Sequence, residues 1–279
     1  MSSTNKLETL TLTNVNLGDL KQLFGRSLLC DSKLGFTICA DGMITSYAGG
    51  NSFFKKWSAD LASICEKFES TCRNDLKVFI YDGTKFCNQV LSAFGQTANI
   101  TFFFKQVQKS YVCDLIEVTN DVLKIKTMCS PIRLGFVEIS PEDEQSVFNN
   151  TTNVRKLTLT SNQLKTISKF GSLNMLGKAV EGIELRTTKQ GLIATDGSFS
   201  YVLDSNYEHD LQPITINKSL MRFIDDGEIY DVTIATTTQG RDVMTLRSTE
   251  HDLIMAMALM VVEDEFDTTN DSDDLPFEF

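Results

Sequence analysis

The stretch ETLTLT (8–13) alternates threonine with Leu10 and Leu12, the period-two pattern of a strand with one buried face. The same alternation returns in LKIKT (123–127), KLTLT (156–160), YDVTIAT (230–236) and DVMTLRS (242–248). Turn signals fall between such runs: ADGM at Ala40, NDVL at Asn120, TKQG at Thr188 and TQGRD at Thr238. Four short segments carry helical spacing instead. They are 17–29, with Leu17, Leu20, Phe24 and Leu28 on one stripe; 84–94, with Phe86, Val90 and Phe94; 162–176; and 217–225. Asn162 and Asn217 are the expected N-caps of the last two. The unit is strand, helix, three strands, and it occurs four times.

The pattern also repeats at the level of residues. LTLTNVNLGDLKQLFG (10–25) returns as LTLTSNQLKTISKFGS (157–172). Leu10, Leu12, Leu17, Leu20 and Leu23 meet Leu157, Leu159, Leu164, Ile167 and Phe170 at a constant offset of 147 residues. GFTI at Gly35 then meets GIEL at Gly182, and GMI at Gly42 meets GLI at Gly191. Matched apolar positions over such a span indicate duplication. They divide the chain into a first domain (1–138), a connector (139–152), a second domain (153–262) and a tail (263–279). The expected fold class is α+β: two similar domains, each a duplicated β-α-βββ unit.

The chain's 279 residues suffice for two such domains. No apolar run reaches the length of a membrane span, and the N-terminus lacks a charged-then-apolar leader pattern, so a cytoplasmic location is expected. The seven cysteines all lie in the first half without a CxxC pair, and read as small buried hydrophobes. The net charge is −11, but residues 263–279 hold eight acids and no base, so the body carries only −3. The tail is expected to be disordered.

Little here supports catalysis, and the expectation is a non-enzyme with no cofactor and no metal. His209 and His251 sit beside acids in polar stretches and read as surface histidines. GSLNMLGKA (171–179) has the wrong glycine spacing for a P-loop, and Ala179 where a hydroxyl should hold magnesium. Asp267, Asp271, Asp273 and Asp274 lack calcium-loop spacing. The basic residues are more informative. Lys21, Arg26, Lys85, Lys165, Lys169, Lys218 and Arg222 all lie on the four helical segments, with Lys165/Lys169 and Lys218/Arg222 at i, i+4. Brought onto one surface, they would hold phosphates without reading bases.

Order and duplication together resemble the DNA sliding clamps of the two-domain phage and eukaryotic kind. EGIELRTTKQGLIATDGSFSYVLD (181–204) looks like the first strands of such a clamp's second domain, and 230–259 looks like its final three strands. EISPEDEQ (138–145) sits at the interdomain connector. The resemblance covers about 6–265. It implies helices lining the inner face of a ring, sheets outside, and a homotrimer that encircles duplex DNA without sequence specificity. It also implies a DNA polymerase partner and an ATP-dependent clamp loader. The implied partner groove involves Phe53, Val137, Ile139, Val261 and Val262. A phage origin would place the protein in the cytoplasm of an infected host cell.

Two features depart from that pattern. Residues 58–69 are expected to form an extra helix, with Leu61, Ile64, Cys65 and Phe68 on one face, preceded by an exposed loop carrying Lys55, Lys56 and Trp57. The tail ends in DDLPFEF, where Asp273, Asp274, Leu275, Pro276, Phe277 and Phe279 resemble the acidic tips of single-stranded DNA-binding proteins. The same short form would suit a peptide that docks into a clamp groove. The alternative function is therefore a single-stranded DNA-binding protein that recruits partners through this tail. It would stack bases on Phe102, Phe103, Phe104 and Tyr111 beside Lys105 and Lys109, unless that stretch is a buried strand. A third reading is a β-rich structural or assembly protein with no DNA affinity.

Overall fold

The computed structural model describes residues 7–50, 52–130, 140–169, 182–207 and 209–260. The first half runs β1 (Glu8–Asn16), α1 (Leu17–Leu28), β2 (Leu34–Ile38), β3 (Met43–Gly50), β4 (Phe53–Asp60), β5 (Lys67–Ser70) and β6 (Leu76–Ile80). A helical segment follows, opening as α2 (Gly83–Lys85) and continuing as a π turn (Phe86–Val90) and a 3-10 turn (Leu91–Phe94). Then come β7 (Thr97–Val107), β8 (Ser110–Thr119) and β9 (Lys124–Met128). Next comes α3 (Pro141–Phe148). The second half runs β10 (Thr151–Thr160), α4 (Ser161–Ser168), β11 (Gly182–Thr188), β12 (Gly191–Thr195), β13 (Ser200–Asp204) and β14 (Ile214–Asn217). It closes with a 3-10 helix (Lys218–Phe223), β15 (Ile229–Thr237), β16 (Asp242–Ser248) and β17 (Leu253–Ala258).

The pairing repeats with the sequence. β1 pairs with β7 as β10 pairs with β15, and β2 with β6 as β11 with β14. The meanders β2-β3-β4 and β7-β8-β9 recur as β11-β12-β13 and β15-β16-β17. The matched apolar positions are buried in both halves: Leu10, Leu12, Leu17 and Leu20, and Leu157, Leu159, Leu164 and Ile167. Two matched glycines turn the equivalent hairpins at positive φ, Gly42 at 93° and Gly191 at 97°. A Cβ on Gly191 would lie 2.1 Å from the Asp204 carbonyl oxygen, so only glycine fits there. All four expected hairpin turns are present.

One contact joins the halves into a continuous sheet. β17, the last strand of the second half, pairs antiparallel with β4 of the first, with Leu253 opposite Trp57 and Met257 opposite Phe53. The first half therefore contributes a strand where the residue pattern predicts a loop and a helix. β4 runs through Asp60 with Lys55 and Trp57 facing inward and buried. Instead of a helix over 58–69 there is a 3-10 turn, Leu61–Ser63, capped by Asp60 accepting from the Ala62 amide, and then β5 against β1. Leu61, Ile64 and Cys65 are buried by that turn, which mimics a helical stripe over one turn only.

Helix starts differ in detail. α4 is capped by Thr160, whose hydroxyl accepts from the Gln163 amide while Gln163 returns a contact to the cap, so Asn162 is not the N-cap. Asn217 does cap its 3-10 helix. Residues 170–181, including the end of the expected third helix, lie outside the described residues. The cysteines are free thiols, five of them buried and two partly so. Phe102 and Phe104 are 3% and 0% exposed on β7, so two of the four aromatics that the single-stranded reading needs for base stacking are core, while Phe103 and Tyr111 are half-buried.

Candidate nucleic-acid interface and partner groove

The four helical segments adjoin one another in a row. Lys21 of α1 donates to Ser92 Oγ of the 83–94 segment at 3.4 Å. At its other end α1 meets the second half, where Arg26 lies 3.2 Å from Glu228. The 3-10 helix Lys218–Phe223 packs beside α4, and Lys165 of α4 pairs with Asp226 at 2.5 Å. The row places the seven basic residues differently. Lys85, Lys169 and Arg222 are exposed, and the Arg222 guanidinium lies 4.6 Å from the Phe223 ring. Lys21, Lys165 and Lys218 are half-buried. Arg26 is only 13% exposed and is held by Glu228.

The junction between halves is a cluster that sequence reasoning missed. Lys55 is buried, with Nζ 2.6 Å from Asp225 Oδ2. It donates to the Phe223 carbonyl at 3.0 Å and to the Arg26 carbonyl at 3.2 Å, and sits 5.7 Å from the Trp57 ring. Two of the three ammonium protons thus go to carbonyl oxygens, and the charge faces the Asp225 carboxylate. Asp225 Oδ2 takes that ion-pair contact and no hydrogen bond. Beside it, Glu228 accepts from Ser248 Oγ at 2.5 Å, and faces Arg26 and His251 Nδ1, the latter at 3.0 Å. Burial pulls the Glu228 carboxyl up, but hydrogen bonds from Ser248 and His251 and the Arg26 charge outweigh it, so it titrates below the usual carboxylate range.

A depressed folded-state value contributes stability above the unfolded value and loses it as pH falls through the folded one. Glu228 should therefore contribute fully above about pH 5 and progressively less below about pH 4. Urea midpoints from pH 6 to pH 3 should fall less steeply for Glu228→Gln than for the unaltered chain. Equal slopes would remove Glu228 from the acid response.

A groove of about 350 Å³ opens where β4, α3 and the β15–β16 turn meet. Its lining includes Phe53, Phe54, Val147, Arg241, Met257 and Ala258. Phe53 stacks on Phe223 with centroids 4.3 Å apart. The connector helix is pinned over this region by Lys56–Glu144 at 2.7 Å and by Phe148, which meets the Phe54 ring at 5.9 Å and the Arg247 guanidinium at 5.7 Å. Of the five residues expected in a partner groove, Phe53 lies here; Val137, Ile139, Val261 and Val262 lie outside the described residues, as does the whole tail. His209 and His251 are exposed as expected, though His251 is partnered. Among the described residues no helix is long and apolar enough to cross a membrane, and no acid–histidine–cysteine cluster could hold a metal.

No family model matches the sequence, and no curated protein matches it. Solved structures do match the fold. The Helicobacter pylori beta clamp bound to a DNA ligase peptide superposes with TM-score 0.60 at 11% identity, over 94% of this chain and 67% of that one. The PCNA of A. fulgidus, bound to the C-terminal region of FEN-1, gives 0.56 at 10% identity, over 93% of this chain and 100% of that one. The DNA polymerase beta subunit of Streptococcus pyogenes gives 0.55 at 13%, over 91% and 65%. The chain thus spans about two thirds of the bacterial clamps' length and all of the A. fulgidus one's. Its fold is that of the DNA sliding clamps, an α+β architecture of large sheets with few helices.

Proposed function

We propose that this chain is a DNA polymerase sliding clamp of the two-domain phage and eukaryotic kind: a non-catalytic processivity factor, closed as a homotrimer around duplex DNA, that tethers a polymerase and is opened by an ATP-dependent loader in the cytoplasm. The observation that carries the proposal is the clamp fold over more than nine tenths of the chain, with basic residues recurring on its row of helices although the body is acidic. Domains 1–138 and 153–262, joined by 139–152, supply two sixths of the ring.

Edge strands support closure. β17 pairs with β4 inside the chain, and their counterparts under the duplication are β9 and β13. Among the described residues those two do not pair with each other, and each has one neighbour, β8 and β12 respectively. Met128 at the end of β9 is 69% exposed, and Val202 on β13 and Phe199 before it are each 41% exposed. Unpaired edge strands can take a partner, and a head-to-tail β9–β13 contact between copies is a heterologous interface that can close a ring. Light scattering across a concentration series tests this: a mass of three chains supports the ring, and a monomer throughout refutes it.

Lys21, Lys85, Lys165, Lys169, Lys218 and Arg222 would face phosphates in that ring, while Arg26 is committed to Glu228. Lys85→Ala with Arg222→Ala should weaken binding to short duplexes equally for all sequences. The slope of log affinity against log salt should shrink by about one unit for each phosphate no longer neutralised. Retention on closed circular DNA should change little, because enclosure does not depend on affinity. A sequence-dependent loss would argue against loose phosphate screening. The groove at Phe53 is the proposed partner site, and the resemblance assigns Val137, Ile139, Val261 and Val262 to the same role.

A further inference from the structure

The tail and the groove have complementary chemistry. We propose that DDLPFEF (273–279) docks in the β4–α3 groove of its own chain, so that the protein masks its partner site until a competing peptide displaces the tail. The proposal rests on the clamp reading of that groove. Ala258 and Met257 form part of the groove wall, and the tail leaves the chain a few residues later. Fourteen residues, 261–274, separate the last described position from Leu275. A link of that length reaches at most about 45 Å, ample for a return to a wall two residues from its start.

The chemistry of recognition fits as well. Leu275, Phe277 and Phe279 supply apolar groups to a groove walled by Phe53, Phe54, Val147 and Ala258, and Pro276 restricts the peptide before it binds. Exposed Arg241 in the lining offers a cation for Asp273 and Asp274, while Asp143, also in the lining, disfavours them. Two solved clamps of this fold carry peptides, one from a DNA ligase and one the C-terminal region of FEN-1. Here a peptide of suitable chemistry is encoded in the chain itself. Tethering places it at an effective concentration near the millimolar range.

The test uses a fluorescently labelled DDLPFEF peptide, read by anisotropy against the full chain and a chain lacking residues 263–279. The shortened chain should bind at least about tenfold tighter, because a tethered competitor in the millimolar range outcompetes a micromolar probe. Phe277→Ala with Phe279→Ala in the full chain should produce the same gain. Ala258→Glu in the shortened chain, with unchanged circular dichroism, should abolish binding. Equal affinity for full and shortened chains, or no binding to the shortened chain, overturns the proposal. Masking that fades on dilution also overturns it, because the tail would then act between chains. Mass and circular-DNA retention of the shortened chain read the ring alone, so failure of the clamp reading shows there and not in the peptide assay.

Discussion

A Lys55→Met chain should lose about 3–5 kcal/mol of stability and unfold roughly 6–20 °C lower, the expected cost of leaving a buried charge without its partner in a chain of this size. Lys55 is fully buried, ion-paired with Asp225 and donating to the Phe223 and Arg26 carbonyls. Methionine conserves the stem but leaves the carboxylate and two carbonyls bare, and desolvated acceptors without donors are expensive. The loss should fall on the seam between halves, since Asp225 and Phe223 belong to the second half and Lys55 and Arg26 to the first. Adding Asp225→Leu should recover a large part of it, because an apolar pair often replaces a buried ion pair at little cost. Thermal unfolding of the single and double variants measures both. A single variant within about 2 °C of the parent would mean water reaches Asp225, and that the seam is not held by this pair.

The second large effect concerns assembly. Met128→Lys with Val202→Lys should convert the proposed trimer to monomers and end retention on circular DNA. Fully covering an exposed apolar side chain contributes about 1.5–3 kcal/mol, and in proportion to the area these two still expose their removal weakens each interface by roughly 10–10²-fold. Lysines on facing edges also oppose strand pairing directly. Neither residue is core: Met128 is 69% exposed and Val202 41%, so the fold itself should survive with its circular dichroism intact. A three-chain mass that persists in the double variant would place the interface elsewhere on the chain.

Several levels of this protein can be read from its residues alone. The alternation in ETLTLT and its relatives placed strands, because a period of two is a local consequence of backbone geometry. The offset of 147 residues exposed the duplication, and the matched Gly42 and Gly191 marked turns that only a residue without Cβ can make. The acidic tail was visible as composition. These features depend on neighbours a few residues away, or on comparison of the chain with itself.

Tertiary structure decided the rest, because it depends on partners distant in sequence. Lys55 reads as a loop lysine until a carbonyl 168 residues away accepts its proton, and Trp57 beside it becomes part of the strand that receives β17. Arg26 lies on a helical segment among the expected phosphate contacts, yet Glu228 of the other half claims it. Leu61, Ile64 and Cys65 have helical spacing, but a single 3-10 turn buries them. The groove is assembled from β4, the connector helix, a hairpin turn and β17, and only Phe53 among its described walls was foreseen. Local pattern specifies which face of an element is apolar. Which charge neutralises which, and which edges meet, is settled only when the two halves fold against each other and water leaves the seam.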